Sequence, residues 1–275
     1  MFRLDDEPTA TLCMVTVPYD TVATRERPSR RSVVKSTEIV TPLSITRLNL
    51  LGGFNLEVAE EPVALSPSPQ RLLAFLALHE TAVGRDYVAG MLWGDSTEAH
   101  AHGSLRSALW KLRAMGLDII GQRGDSLELT PSVEVDARRA SALARALIAG
   151  SYSNESMDLL EPRFTCEILP GWYDDWILVE RERHRQLSLH ALEALCDHLT
   201  EAGRYGQAVL AGLAAVDREP LRESTHRALV RAHLAEGNLG EAIRRYRYYE
   251  RLAAHELRVV PSPMFRAILD GMITS

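Results

Sequence analysis

The sequence predicts a mainly α-helical protein with a small β component, in which a winged helix-turn-helix domain precedes an all-α, tetratricopeptide-like helical-repeat domain. In the first half, short apolar alternations flank three amphipathic helices. In the second half, a pattern of small residues recurs after 34 residues, the tetratricopeptide period. We therefore predict a flexible extension over residues 1–44, a winged-helix domain over 45–135 and helical repeats over 136–275.

Composition limits the class of protein. Of the 275 residues, 46% are hydrophobic and 25% charged, which is the balance of a globular chain with two ordinary cores. The N-terminus develops no apolar signal core, and no stretch approaches the roughly 18 apolar residues that span a bilayer. We expect a cytoplasmic protein without a membrane partner. The cysteines Cys13, Cys166 and Cys196 are odd in number and lack CxxC spacing, so we expect buried or incidental thiols rather than disulfides or a zinc site.

Charge argues mildly against a nucleic-acid partner. The net charge is −6, and it is spread so that residues 45–135 carry 7 basic and 11 acidic groups while residues 136–275 carry 18 and 20. Residues 1–44 carry 6 of each, with a cationic run between Arg25 and Lys35 that is better explained as part of a solvated tail than as a phosphate contact. Any DNA binding must therefore come from local clustering of cations.

The first half shows the element order of a winged helix. Three strands are predicted over 45–50, 54–58 and 63–65, and a closing hairpin over 117–120 and 126–130, turning at Gly121 and Gly124-Asp125. Between them we predict helices over 67–80, 85–92 and 97–115. The third helix begins at Thr97, which can cap it, and stops at Gly116.

The third helix carries the candidate functional face. Ala101, Leu105, Ala108 or Leu109, and Leu112 form one apolar stripe, which predicts the buried side. Long cationic and short polar side chains lie opposite, and such residues suit the major groove because Arg donates two bonds to guanine while Ser and Lys reach phosphates or base edges. Periodicity alone favours an ordinary solvated face, whereas the element order favours a recognition helix. The candidate DNA-binding residues are His102, Arg106, Ser107, Trp110, Lys111 and Arg113 on the helix and Arg123 at the hairpin tip.

The second half contains an internal repeat. The residues Ala194-Leu195, Gly203, Gly206, Ala208 and Val209 recur as Ala228-Leu229, Gly237, Gly240, Ala242 and Ile243. Small residues at the turn and at the helix contact are what a tetratricopeptide hairpin requires. The match is imperfect, because Cys196 and Val230 occupy the close helix contact that such repeats usually fill with glycine. After residue 135 we expect helix throughout.

Several motifs together resemble the Streptomyces antibiotic regulatory protein family. They are Pro69–His79, Val83–Asp95 and Leu105–Arg113 in the first half, and Leu169–Trp172, Trp176, Glu180-Arg181, Glu219–Glu223 and Ala254–Pro263 in the second. The resemblance covers residues 46–272. It implies an OmpR-like winged helix joined to a bacterial transcriptional activation domain.

The resemblance also implies a function and partners. The family binds tandem direct repeats in double-stranded promoter DNA near the −35 element and recruits RNA polymerase holoenzyme to antibiotic and other biosynthetic genes. Lys111 and Arg113 would then face DNA, a homodimer on the tandem repeats is compatible with this arrangement, and the protein would associate with the nucleoid. Departures put the target sequence in doubt: Gly103 lies inside the recognition helix, Pro69 replaces a usual Lys, and Asp125–Leu127 replace a Gly-Tyr pair in the wing.

No sequence feature indicates an enzyme. The chain has no phosphate-binding Gly-Lys-Ser/Thr loop, no HExxH and no Gly-x-Ser-x-Gly, and its nine histidines are scattered, so we expect no catalysis, cofactor or metal. The serious alternative is a helical-repeat interaction scaffold whose winged helix does not bind DNA. The acidic balance of residues 45–135 favours this alternative somewhat, and salt-dependent binding to a promoter fragment discriminates between the two.

Overall fold

The N-terminal sheet has four short strands. A computed structural model describes residues 45–151 and 164–273, with side chains to Asp270, so the predicted extension over 1–44 and Cys13 lie outside the described residues. The sheet order is β3-β2-β1-β7, with β1 antiparallel to β2 and parallel to β7. The third predicted strand, 63–65, is wrong by two residues, and β7 was not predicted. The strands are β1 (Thr46–Asn49), β2 (Asn55–Val58), β3 (Glu61–Pro62) and β7 (Val133–Val135).

The three predicted helices of the first half are confirmed to within two residues at each end. They are α1 (Pro67–Leu78), α2 (Arg85–Trp93) and α3 (Glu98–Ala114). Gly116 adopts a φ of 74°, so the helix stop is also confirmed. The expected side-chain cap is wrong: Thr97 occupies the cap position, but its hydroxyl hydrogen-bonds His100 Nδ1 at 2.8 Å instead of a backbone N–H.

The closing hairpin is confirmed, but its first strand begins later than predicted. The strands β5 (Ile120–Arg123) and β6 (Ser126–Leu129) pair antiparallel, and β4 (Val83–Gly84) adds to the far edge of β6. Leu117 and Ile119, expected in the strand, instead connect α3 to the hairpin and bury their side chains in the core. Gly121 lies inside β5, so the turn is left to Gly124-Asp125. The winged helix is therefore complete.

The segment before the long helix of the second half contradicts the expectation of helix throughout. Residues 164–174 form no α-helix. Their backbone joins the first sheet, because Ile168 bridges Leu51 and Leu169 N–H donates to Leu50 O at 2.8 Å. Ile168, Leu169, Trp176 and Ile177 are buried in the same core as Leu48 and Phe75. The helical half is thus packed directly on the winged helix, and the boundary at residue 135 stays a prediction.

Helical hairpins build the rest of the second half. Gly203 and Gly237, 34 residues apart, both adopt positive φ (72° and 85°) at the turns within two successive hairpins, and Ala208 and Ala242 are fully buried where those helices meet. The repeat predicted from the spacing is confirmed, and so is the fold class. No helix within the described ranges is long and apolar enough to cross a membrane. The helices are α4 (Asp136–Ile148), α5 (Asp175–Glu201), α6 (Tyr205–Arg218), α7 (Glu223–Ala235), α8 (Leu239–Glu256) and α9 (Pro263–Ile273).

Candidate nucleic-acid interface

The buried stripe of α3 fixes which side of the helix faces outward. Ala101, Leu105 and Leu112 are each no more than 2% exposed, and both Ala108 and Leu109 are buried as well. This stripe packs against α1 and α2. The prediction of the buried side is confirmed, and the opposite side of α3 is consequently fixed as its solvent-facing surface.

The outward side of α3 carries cations that nothing neutralises. Arg106 and Arg113 are exposed and Lys111 is half-buried. Within residues 45–151 and 164–273, none of the three forms an ion pair or hydrogen bond with another side chain or with the backbone. Their charges are available to an anionic partner, because no internal carboxylate competes for them.

A tryptophan and a serine complete the exposed face. Trp110 has 69% of its surface exposed, an unusual placement for the residue with the largest apolar area. Ser107 is exposed one turn before Lys111. The face therefore combines a flat ring, a small hydroxyl and long cations, a composition that can contact both bases and phosphates.

His102 differs from its neighbours because it already has a partner. Its side chain is only 27% exposed, and its Nε2 lies 3.4 Å from Asp86 Oδ1 in the first turn of α2. The contact connects α3 to α2. Among the predicted site residues on α3, His102 is thus the one whose ring is directed toward another helix of the same domain.

The wing places Arg123 away from any carboxylate. Arg123 is the last residue of β5, is exposed, and is followed by Gly124 with a φ of 59°. The wing tip is anchored from the other side: Arg85 N–H donates to Asp125 O at 3.0 Å, and its guanidinium lies 3.8 Å from the Asp125 carboxylate. Arg123 is therefore presented on a hairpin whose turn is held to the start of α2.

Sequence reasoning missed the residues that brace this interface. Asp86, Arg85 and Asp125 were not singled out, although an Arg-Asp pair opening a helix after a glycine is visible in the sequence. Their partners lie 16 and 40 residues away. Because local spacing does not specify such contacts, the pairings could not be predicted.

Two arginines tie the helical half to the winged helix. Arg138 of α4 donates to the carbonyls of Leu76, Ala77 and His79 at 2.5–2.9 Å, which satisfies the end of α1. Burial lowers the pKa of Arg138. Arg181, one of the family motif residues, donates to the carbonyls of Ile168 at 2.8 Å and Trp172 at 2.7 Å and to that of Leu169. The second-half motif thus has a structural role.

The interface offers no metal chemistry. No group of three or more His, Cys, Asp or Glu side chains in the described part of the chain is arranged to hold a metal ion. The exposed face of α3 contains donors and cations rather than paired carboxylates, so what it can do chemically is bind an anion.

The family profile for the bacterial transcriptional activator domain matches residues 135–270. The chain is 29% identical over 216 residues to the regulatory protein AfsR of Streptomyces coelicolor and 28% identical over 214 residues to that of Streptomyces griseus. Each match covers 72% of this chain and 21% of the relative, so it spans about a fifth of those proteins.

A solved structure shares the fold. Mycobacterium tuberculosis EmbR, determined in complex with a low-affinity phosphopeptide, superposes with a TM-score of 0.70 at 20% identity, over 84% of this chain and 65% of EmbR. EmbR has a winged-helix domain followed by an α-helical repeat region, the order of elements seen here. On the profile match and the two relatives, this chain belongs to the AfsR-type branch of the Streptomyces antibiotic regulatory protein family of transcription regulators.

Proposed function

We propose that this chain is a sequence-specific DNA-binding transcription activator whose α3 enters the major groove of double-stranded promoter DNA. The observation that carries the proposal is the set of three unneutralised cations, Arg106, Lys111 and Arg113, beside the exposed ring of Trp110. A third helix with such a face, followed by a hairpin wing, is the arrangement in which helix-turn-helix proteins contact base edges. Local clustering compensates for the acidic balance of the domain.

Each predicted residue has a role in this proposal. Arg106 and Arg113 are the candidates for bidentate contacts to guanine, and Lys111 and Ser107 for phosphate or base-edge contacts. Arg123 would bind the sugar-phosphate backbone from the wing. His102 supports α3 through Asp86 and reaches DNA only at its periphery.

The wider role rests on family membership. Direct repeats near the −35 element, recruitment of RNA polymerase holoenzyme and activation of secondary-metabolite genes are properties that the family brings to the proposal. Two copies side by side on the tandem repeats, in a cytoplasmic and nucleoid-associated protein, fit the same scheme. The proposal involves no catalytic step and no cofactor.

The test begins with selection of bound fragments from a genomic pool, followed by sequencing and by gel retardation of the enriched fragment. Lys111→Ala and Arg113→Ala should each weaken binding by roughly five- to hundredfold, the range of one good base contact, and affinity should fall steeply with salt. Arg183→Ala is the matched control, because Arg183 is an exposed arginine of α5 that pairs only with Glu180 of its own helix.

The alternative function, an interaction scaffold with a winged helix that does not bind DNA, makes the opposite prediction. It is favoured by the excess of acidic over basic groups in residues 45–135. If folded protein retards no fragment of the genomic pool even at low salt, the DNA-binding proposal is wrong and the scaffold remains.

A further inference from the structure

A groove between α7 and α8 collects arginines far along the chain from the α3 face. It has a volume of about 630 Å³. Its lining includes one carboxylate, Glu241, which pairs with Arg244 one turn along α8. The α8 groove, as we call it, is lined by His233, Glu241, Arg244, Arg245, Arg247, Tyr248 and Arg251.

The arginines of the α8 groove lie on one face of the helix. Arg244, Arg247 and Arg251 follow a spacing of three and four residues, so their side chains project from the same side. Like charges at this spacing repel one another and weaken the helix. Arg247 and Arg251 are exposed, and neither has an ion pair or hydrogen bond in the part of the chain that the structure describes.

Arginines on the neighbouring helices are arranged differently. Arg185 pairs with Glu182 and Glu219, Arg222 with Glu193, and Arg231 with Asp197. Carboxylates have thus been placed opposite most cations of these helices. The excess of positive charge in the α8 groove is local, in a chain whose net charge is −6.

The length of the cationic face matches an extended chain. With a rise of about 1.5 Å per residue, Arg244 and Arg251 are separated by about 10 Å along α8. Side chains on one side of an extended peptide are spaced by about 7 Å, so two or three carboxylates could meet the three arginines. A single phosphate is too small to contact both ends of this face.

Tyr248 adds a contact surface beside the charges. Its ring is 44% exposed, and the guanidinium of Arg245 lies 5.4 Å from the ring centroid. The stacked pair forms a flat wall on which a peptide backbone or side chain can lie. A groove of this size is within the range that binds peptide side chains and is too small to admit a DNA duplex.

We propose that the α8 groove docks an extended acidic segment of a partner protein, with carboxylates on alternate residues meeting Arg244, Arg247 and Arg251. Charge complementarity is the basis of the proposal: the groove has a net excess of cations that no carboxylate in the described residues neutralises. Helical-repeat arrays commonly bind partners on such concave surfaces. The inference does not depend on DNA binding by α3.

The experiment uses the full chain and fluorescence anisotropy with three labelled probes: a twelve-residue peptide of alternating Asp and Ser, the same peptide with Asn for every Asp, and a random-sequence DNA duplex. We expect the Asp peptide to bind at least tenfold more tightly than the Asn peptide. The double variant Arg247→Gln, Arg251→Gln should abolish that preference while leaving the thermal unfolding midpoint and binding of the duplex unchanged.

The matched control is Arg106→Gln, Arg113→Gln, which removes the same charge from α3. This variant should keep binding of the Asp peptide and, under the proposed function, lose binding of the duplex. Equal binding of the two peptides, or equal loss of peptide binding in both double variants, would overturn the proposal. Loss of duplex rather than peptide binding in the α8 variant would also overturn it, by assigning the groove to nucleic acid.

Discussion

Asp136 Oδ1 accepts a hydrogen bond from Leu50 N–H at 2.8 Å, which joins the first residue of α4 to the end of β1 across 86 positions of sequence. The other carboxylate oxygen accepts from Leu51 N–H at 3.0 Å. The start of the helical half therefore satisfies two backbone donors of the first sheet. A charge-assisted contact of this kind is stronger than a neutral one.

Asp136→Asn should lower the free energy of unfolding by about 1.5–3 kcal/mol, because the uncharged amide can accept only one of the two bonds and leaves the other N–H without its partner. Chemical denaturation followed by circular dichroism measures the change. The control is Asp118→Asn, since Asp118 is exposed and contacts no other described side chain or backbone group. Equal stability of the two variants would contradict the assigned role of Asp136.

Arg123 and Arg106 should differ in how they affect DNA binding under the proposed function. Arg123→Ala should weaken the enriched fragment and a random duplex alike and reduce the salt slope by about 1, as expected for loss of a phosphate contact. Arg106→Ala should cost about 1–3 kcal/mol on the enriched fragment and much less on the random duplex. Anisotropy titrations at several salt concentrations measure both effects. A sequence-dependent loss in Arg123→Ala would show that the wing contacts bases instead.

Local patterns predicted the helices far better than the contacts between them. The register of α3 follows from the spacing of Leu105 and Leu112, because burial of an apolar stripe depends only on helical periodicity. The two- and three-residue strands β4 and β7 were missed because their stability comes from remote partners, as where Val133 pairs with Thr46.

The site was predictable in part for the same reason. The outward face of α3 follows from the buried stripe, whereas the contact of His102 with Asp86 depends on how α2 and α3 cross. The packing of Ile168 and Leu169 against Leu50 involves residues more than 100 positions apart. Nothing in the sequence near residue 168 indicates that its partner is a strand of the first sheet.

Gly212 is the close contact of the repeat that the sequence did not reveal. A Cβ there would lie 3.1–3.3 Å from atoms of Leu229 and Cys196, tighter than ordinary packing. Gly212→Val should therefore destabilise the protein by about 1–3 kcal/mol through overpacking. Gly206→Val, in the same helix with no described atom within 4 Å, is the control and should be close to neutral. Thermal unfolding of both decides, and equal midpoints would show that the contact at Gly212 relaxes freely.

Cys196 and Cys166 should differ sharply in reactivity. Burial raises the pKa of the Cys196 thiol to about 12, and its side chain is fully buried, so the nucleophilic thiolate is scarce at neutral pH. In a Cys13→Ser background, titration with a disulfide reagent should modify Cys166, which is half-buried, in the native protein and Cys196 only after denaturation. A Cys166→Ser variant should then show no native reaction. Rapid modification of Cys196 without denaturant would contradict the prediction.

His226 should make stability depend on pH. It is fully buried, its Nε2 donates to Pro220 O at 2.9 Å, and burial lowers its pKa from the ordinary value. As pH falls below about 6.5 the unfolded chain binds a proton at this residue that the folded chain resists, so the stability present above that pH is lost on acidification. The contribution to the slope approaches about 1.4 kcal/mol per pH unit. Tyr249, whose ring lies 4.7 Å away, also has a raised pKa from burial, but it titrates outside this range.

The variant His226→Gln separates this contribution from that of the other titrating groups, because the amide keeps a donor for Pro220 O but does not titrate. We expect it to be less stable at pH 7.5 yet to lose less stability than the native chain between pH 7.5 and 5.5. His255→Gln is the control, since the His255 side chain is 83% exposed, and should keep the native slope. Denaturant unfolding at four pH values provides the slopes. An unchanged slope in His226→Gln would mean that the buried ring is protonated in the folded protein and that other groups set the pH dependence.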